Sequence, residues 1–470
     1  MLKKIISLIS ALAIALTFCV IPSDAAETFQ SAKEYTDSIT VGWNLGNTLD
    51  TIGDWIKLYT ENKSADYEKA WGNPITTKEM ITVVKKAGFN AVRVPVTWAD
   101  HMDSSGNVDK EWMDRVQEVV NYVISQDMYC ILNVHHDGGS DGWIVADPDM
   151  VKKDGAKFSK LWKQIAERFK NYGNKLSFES FNEVIDKNDN WNSSGKDAHK
   201  AINDLNQLFV DAVRATGGNN SKRNLIIQSY AASSDTGCLN NLSVPSDTAK
   251  NHIIAEVHSY DPVSFCWKEA SWTTLTDVWG SASDKAEIDK LIGKIADYSK
   301  KSGIPVILGE FASEDKNNDS ERAKHASYVV SKAAESGIKC FWWDTGDMAL
   351  IDRVNLKILH PEVVNAMMKA VGTSSKNAAS TADTASEIKL SGKKTASSVK
   401  LTWTKADGAY GYKVYEYNTK TGKYVKKAYI KGTSKSFSKL SAGKHKYIVI
   451  AYTKDGKKVS TSNAVTVTIK

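Results

Sequence analysis

The chain has 470 residues, 42% hydrophobic and 25% charged, with a formal net charge of +6. That balance is the one expected of a folded globular protein and excludes a low-complexity chain; the length exceeds one average domain, although a single barrel can use well over half of it. Five cysteines exclude a disulfide scaffold, and no CxxC or His/Cys cluster suggests a metal site.

The first 25 residues read as a secretory signal. Lys3 and Lys4 precede an uncharged apolar run over 5–21, and Ser23-Asp24-Ala25 places small residues before a cut after Ala25, with Ala26 the alternative. The run is short for a bilayer span, and no later stretch is long and apolar enough to cross one. The expectation is a secreted, extracellular chain with no membrane attachment once the signal is removed.

Eight short apolar runs follow, at 41–45, 91–96, 128–134, 176–181, 225–229, 253–258, 305–310 and 339–343. Between them lie amphipathic stretches at 77–87, 112–125, 158–172, 198–216, 286–302 and 321–336, and 360–371 closes the series. Gly88, Gly217, Gly303 and Gly337 each fall just past a helical pattern, where a left-handed cap suits glycine. Eight strand–helix units predict an α/β fold of the (β/α)8 TIM-barrel type over 26–371, in preference to an open doubly wound sheet. Cys130 and Cys340 lie in strand-like runs as buried thiols, whereas Cys238 and Cys266 are left open between pairing and not.

Composition then changes. Residues 372–386 are rich in Ser, Thr, Ala and Asn, which predicts a flexible linker. From 387 to 470 apolar and polar residues alternate in short runs around Trp403, Tyr412, Ile448 and Val465, predicting a small all-β sandwich. The Trp403 run, the Gly411-Tyr412-Lys413-Val414-Tyr415 run and the turn after Leu440 resemble a fibronectin type III module.

In a (β/α)8 barrel, groups able to act sit at the C-terminal ends of the strands. The second run carries Arg93, the third ends in His135-His136-Asp137 and the fourth in Asn182-Glu183. The sixth ends in His258-Ser259-Tyr260, the seventh in Gly309-Glu310-Phe311 and the eighth in Trp342-Trp343-Asp344. Two carboxylates thus face one mouth among His, Arg, Asn, Tyr and Trp. A lone Glu at a strand end is more often an ion-pair member than a catalyst; six polar or aromatic ends at once are hard to explain by packing. Fourteen Trp and 18 Tyr supply flat apolar surface with polar edges, suited either to an aromatic-rich core or to stacking on sugar rings.

These runs resemble glycoside hydrolase family 5, and most of all its endo-β-1,4-glucanase (cellulase) members. The resemblance rests on Gly42-Trp43-Asn44-Leu45-Gly46-Asn47-Thr48-Leu49-Asp50, Asn90-Ala91-Val92-Arg93-Val94-Pro95-Val96-Thr97-Trp98, Phe178-Glu179-Ser180-Phe181-Asn182-Glu183 and Leu308-Gly309-Glu310-Phe311. It departs at Val184, where the family usually has Pro. The resemblance implies a retaining enzyme in which Glu183 is the general acid/base and Glu310 the nucleophile, with no cofactor and no metal. Arg93 and Tyr260 would hold Glu310 ionised and aimed, and Asn182 would bond the sugar 2-hydroxyl. His135 and His258 would bond sugar or catalytic groups. Trp342 would be the platform under the sugar, with Trp343 its rival, because neighbours on a strand point to opposite faces. Asn47, Trp71 and His136 are expected substrate contacts, and Trp98 is expected in the core. Cellulose or mixed-linkage β-glucan is the expected substrate; β-1,4-mannan, xyloglucan and xylan remain alternatives, and a non-catalytic carbohydrate-binding or adhesion protein is a reading of a different class.

The charge is unevenly placed. Residues 387–470 hold 19 Lys, no Arg and 4 acidic residues, a net +15, which leaves −9 for the remainder. Lysines spread along strands can be a solvated face that resists aggregation. They can also draw the enzyme to an anionic cell wall, or leave exposed tyrosines free to meet polysaccharide. A nucleic-acid partner is not expected of a secreted chain whose excess charge is all Lys on this module.

Overall fold

The structure, a computed structural model, describes residues 29–138, 142–191, 195–372, 388–406, 408–418, 423–453 and 458–469. The expected signal segment and all but the first residue of the expected linker lie outside the described residues. Among those described, no helix is long and apolar enough to cross a membrane.

Eight parallel strands close into a barrel: β1 (Gly42–Leu45), β2 (Ala91–Val94), β3 (Tyr129–Asn133), β4 (Leu176–Glu179), β5 (Leu225–Ser233), β6 (Ile253–His258), β7 (Val306–Phe311) and β8 (Lys339–Asp344). They pair in chain order, and β8 returns to β1. Each falls on one of the eight apolar runs. The strands are almost wholly buried because helices cover one face and barrel-filling side chains the other, so their sequences are continuous rather than alternating.

Among the described residues the helices follow the expected stretches, with one of them lengthened and five short ones added: Ala32–Ser38, Asp54–Tyr59, Ser64–Ala70, Thr236–Asn241 and Val263–Cys266. Lys78–Ala87 and Ala282–Ser302 end in left-handed Gly88 and Gly303, as read. Pro148–Phe169 starts ten residues before the expected 158, capped by Asp147 with Pro148 in its first turn. Its first turns hold Lys152, Lys153 and Gly155, which hide the apolar period; Gly155 packs directly against Leu208. Of the added helices, Ala32–Ser38 has its start fixed by a capping box between Ser31 and Glu34. Ala32, Tyr35 and Ile39 form one cluster with Ala91, Tyr129, Ile131, Ile226, Ile254, Ile307 and Phe341, closing the end of the barrel opposite the strand C-termini.

The C-terminal residues form two antiparallel sheets. One is Leu390–Lys394, Val399–Trp403 and Ser434–Phe437; the other is Lys423–Ile430, Gly411–Asn418, Gly443–Tyr452 and Lys458–Thr461, with Val465–Ile469 also on Gly443–Tyr452. Their facing sides share one core of Leu390, Leu401, Trp403, Tyr412, Val414, Tyr447 and Val449. This is an all-β sandwich, as expected. Cys130, Cys238, Cys266 and Cys340 are all buried and none is in a disulfide, so Cys238 and Cys266 do not pair.

Candidate active site

The inward side of β1–β4 carries Asn44, Arg93, Asn133 and Glu179, and their chemistry is read most easily from Arg93. Its side chain is fully buried, and all five N–H donors are used. Nε and Nη2 donate to the two oxygens of Glu179 (2.8 and 2.7 Å), Nη1 to Glu310 (2.7 Å) and Asn44 (3.0 Å), and Nη2 also to Asn182 (2.7 Å). Glu256 lies 3.3 Å from Nε. A guanidinium so enclosed has lost its water, and opposing carboxylates make that tolerable, holding it charged far beyond the physiological range.

Glu310 ends β7 with one oxygen on Arg93 and the other accepting from the Tyr260 hydroxyl at 2.6 Å. It is 4% exposed, and burial raises its pKa against the opposing charges of His258 and Arg93. Glu183 follows β4 in a left-handed conformation (φ 49°), uncommon for a residue with a Cβ. Its N–H donates to the Gln228 side chain (2.9 Å), and the carbonyl of buried Val184, where Pro was expected, accepts from Ala231 (3.0 Å). This turn aims the Glu183 carboxyl at His258 Nδ1, 2.7 Å away, and leaves the side chain 26% exposed. Carboxylate oxygens of Glu183 and Glu310 and a ring nitrogen of His258 all lie within 4.8 Å of one another.

His258 joins three acids. Besides Glu183, Nδ1 is 3.7 Å from Glu310, and Nε2 is 3.2 Å from Glu256. Burial opposes its charge, but the three carboxylates prevail and raise its pKa to about 10. Glu179 and Glu256 are buried together and shift in opposite directions: burial pushes Glu179 up to about 8, while Arg93, then Glu179 and His258, draw Glu256 down to about 2 against its own burial. His135 has the opposite fate. Burial and the nearby positive charges of His136, Arg93 and His258 push its pKa well down, so it is a neutral ring, stacked on Trp343 at 5.7 Å.

The tryptophan assignment is corrected. Parallel pairing sets Asn44 beside Trp343 and Trp43 beside Trp342. Asn44 points inward to Arg93, so Trp343 shares the inward face and lies at the mouth. Trp342 points outward into the barrel–helix layer, wholly buried, its indole N–H donating to Met348 O (2.8 Å) and its ring against Phe311. A methyl group at Gly46 would come within 2.9 Å of the Trp343 ring, so the glycine of the first motif makes room for that indole.

The other expected contacts surround this centre. His136 Nδ1 donates to Asp50 O (2.8 Å), and its ring lies 5.4 Å from Trp71. Asn47 is left-handed (φ 54°), and its carbonyl accepts from Asn73 (2.7 Å). Trp98 is core, as expected. Among the described residues a second cluster, Asp50, His135 and His136, also brings three potential metal-ligating atoms within 4.8 Å. Its donors have partners already: Asp50 accepts from the Asn47 and Thr48 N–H groups, and His135 Nδ1 sits 3.0 Å from Asn133. The residues missed by sequence reading are Asn44, Glu179 and Glu256. Glu179 and Glu256 are acids inside otherwise apolar strand runs, and that was their signal.

A parallel barrel with two carboxylates facing each other at its C-terminal mouth, both tied to buried cations, is the layout of a carboxylate-pair glycosidase. The profile of the Cellulase (glycosyl hydrolase family 5) family matches residues 49–349, and the chain belongs to that family. Endoglucanase A of Clostridium longisporum is 39% identical over 323 residues, which are 68% of this chain and 60% of that protein; the chain therefore spans less than two thirds of that relative. A broad-specificity endoglucanase of Ruminococcus champanellensis with bound cellotriose superposes with a TM-score of 0.67 at 39% identity, covering 73% of this chain and 99% of that one. A family 5 enzyme of Prevotella bryantii B14, solved as a point mutant with a xyloglucan tetradecasaccharide, gives 0.66 at 37% identity, covering 73% and 99%.

Proposed function

We propose that the chain is a secreted, retaining endo-β-1,4-glucanase acting on cellulose-type or mixed-linkage β-glucan. The observation that carries this is the approach of the Glu183 and Glu310 carboxylates to within 4.8 Å. Carboxyl groups about 5–5.5 Å apart leave no room for a water behind the sugar, so the second one attacks carbon directly; inverting pairs stand about 6.5–9.5 Å apart. In the first step Glu183 gives its proton to the glycosidic oxygen as the C–O bond breaks, and a Glu310 oxygen bonds to the anomeric carbon. In the second, Glu183 takes a proton from water, whose oxygen displaces Glu310, and configuration is retained. Arg93 and Tyr260 occupy Glu310 from two sides and hold it for in-line attack. Asn182 has its carbonyl on Arg93, which leaves its amide N–H groups to meet the sugar 2-hydroxyl. Trp343, not Trp342, is the sugar platform, with Trp71, His136 and Asn47 further along the cleft.

The endoglucanase relatives favour glucan over mannan or xylan, and the xyloglucan complex keeps substituted glucans in view. Reducing-sugar release on soluble β-glucan, with product sizing and proton NMR of the first-formed anomer, tests the reading. Wild type should give oligosaccharides of retained configuration, and Glu310→Gln should give none. Absence of release by wild type on any β-glucan, mannan or xylan would return the chain to the binding-protein class.

For the C-terminal sandwich we infer a fibronectin type III-like module that holds the enzyme at an acidic cell-wall polymer. Tyr415 and Tyr452, with hydroxyls 3.4 Å apart, and exposed Tyr410 and Tyr429 lie outside its core. Lys413 sits 3.6 Å over the Tyr452 ring and Lys431 4.5 Å over Tyr410. Aromatic faces bordered by ammonium groups suit a sugar chain that carries negative charge.

A further inference from the structure

Glu256 has no place in the reaction as described so far, yet it is completely buried at the centre of the site. It stands on β6, two residues before His258 and therefore on the same face of the strand. One of its oxygens is 3.2 Å from His258 Nε2 and 3.3 Å from Arg93 Nε. The opposite ring nitrogen, Nδ1, is the one that meets Glu183 at 2.7 Å. Carboxylate, imidazole and acid/base thus lie in one line across the ring.

The fold makes specific room for this carboxylate. A methyl group on Gly309 would fall 1.5 Å from the Glu256 oxygen and 2.3 Å from its carboxyl carbon. The glycine preceding the nucleophile therefore leaves the hole that Glu256 fills from the neighbouring strand. A buried acid is costly unless its charge is answered, and here it is answered by Arg93 and the far side of His258.

We propose that Glu256 is a positioning residue for the acid/base: through His258 it keeps an N–H donor aimed at the Glu183 carboxyl throughout the reaction. This rests on the retaining-hydrolase reading. A neutral imidazole donating Nε2–H to Glu256 would offer Glu183 only a lone pair at Nδ1; a charged ring donates from both nitrogens. When Glu183 has given up its proton, the Nδ1–H bond stabilises the carboxylate left behind, and it keeps the side chain in place for the second step. The groups facing His258 are Glu183 after β4, Glu310 on β7, Glu256 on its own strand, Arg93 on β2, Tyr260 two residues on, and His135 after β3. Glu256 and Glu310, each also held by Arg93, are the anions that remain beside the ring when Glu183 is protonated. The raised pKa of His258 agrees.

The test is the pH dependence of Glu256→Gln, which preserves size and a hydrogen-bond acceptor but removes the charge. One opposite charge at this range shifts a pKa by about 1–3 units, and one unit is a factor of ten. With His258 starting at about 10, a fall of about three units would leave about a tenth of the rings charged at pH 8, so the variant should lose up to about tenfold more kcat/KM at pH 8 than at pH 5, relative to wild type, and Glu256→Asp should recover part of that difference. An equal loss at every pH would mark Glu256 as merely structural and overturn the proposal. Should Glu256→Gln not fold, wild type still decides, by NMR titration of ¹³C-labelled imidazoles with His258→Gln for assignment. A His258 signal titrating near the free-histidine value would refute it, whereas one still protonated above pH 8 supports it. The titration reads this inference even if wild type cuts no glucan, an outcome that would defeat the hydrolase reading alone.

Discussion

The barrel mouth and the C-terminal sandwich both carry positive charge, and they use it in opposite ways. At the mouth one guanidinium and one imidazole are walled in, and each N–H is matched to a named acceptor. Residues 387–470 hold 19 lysines against 4 acids, and several of the described lysines lie over tyrosine rings. Coulomb attraction at a given distance is many times stronger in a dry interior than in water. A buried cation can therefore aim a nucleophile to a fraction of an ångström, while exposed ammonium groups exert a diffuse, salt-screened pull. Position in the fold, not the count of charges, decides which kind of function a cation can serve.

The strongest way to break this contrast is to remove one cation from each region. Arg93→Met leaves Glu179, Glu256 and Glu310 facing one another without their shared partner, and breaking a buried pair in this way costs about 3–5 kcal/mol. Lys413→Met, losing a half-buried ammonium over Tyr452, should cost no more than about 1 kcal/mol. Denaturant unfolding of both variants, followed by tryptophan fluorescence, measures the difference. Equal effects would mean that the mouth is wetter than its geometry implies.

The two adjacent tryptophans sharpen the comparison within the barrel. Trp342→Ala empties a filled site in the barrel–helix layer and should cost about 3–5 kcal/mol of stability. Trp343→Ala, at the more exposed of the two positions, should cost less stability and weaken substrate as well, by about 0.5–1.5 kcal/mol in kcat/KM if stacking is its role. Melting curves together with kinetics on soluble β-glucan separate the two. Loss of stability in Trp343→Ala with unchanged kinetics would remove it from the site.

How far this was legible in the sequence follows the same physics. Each barrel strand was readable because a strand covered on both faces must be continuously apolar, and the strand ends exposed Arg93, Glu183, Tyr260 and Glu310 as a set. Which of Trp342 and Trp343 turns inward was not readable, because two identical neighbours carry no phase; the register against Asn44 supplies it. Glu256 was hidden for a related reason. A single acid inside an apolar run looks like an exposed strand residue until the barrel closes and Gly309 opens a hole beside it. The plug helix Ala32–Ser38 is too short to show a period, and only its Ser31 and Glu34 cap marks it.

The smallest expected effect lies on the sandwich, where no single lysine should matter much and the sum should. If the module holds an acidic polymer by attraction, each neutralised lysine contributes one weak, screened interaction, and binding must fall as the Debye length shortens from about 10 Å at 0.1 M salt to about 3 Å at 1 M. The full chain should co-sediment with insoluble acidic cell-wall material at low salt and be released at high salt, while its rate on uncharged soluble β-glucan stays the same. Replacing Lys413 and Lys431 together by Glu should lower the salt needed for release without altering that rate, since both lie outside the barrel. Binding that resists salt but fails in Tyr410→Ala and Tyr429→Ala would transfer the role to the aromatic faces, and unaltered binding in every variant would reduce the lysines to a solvated coat.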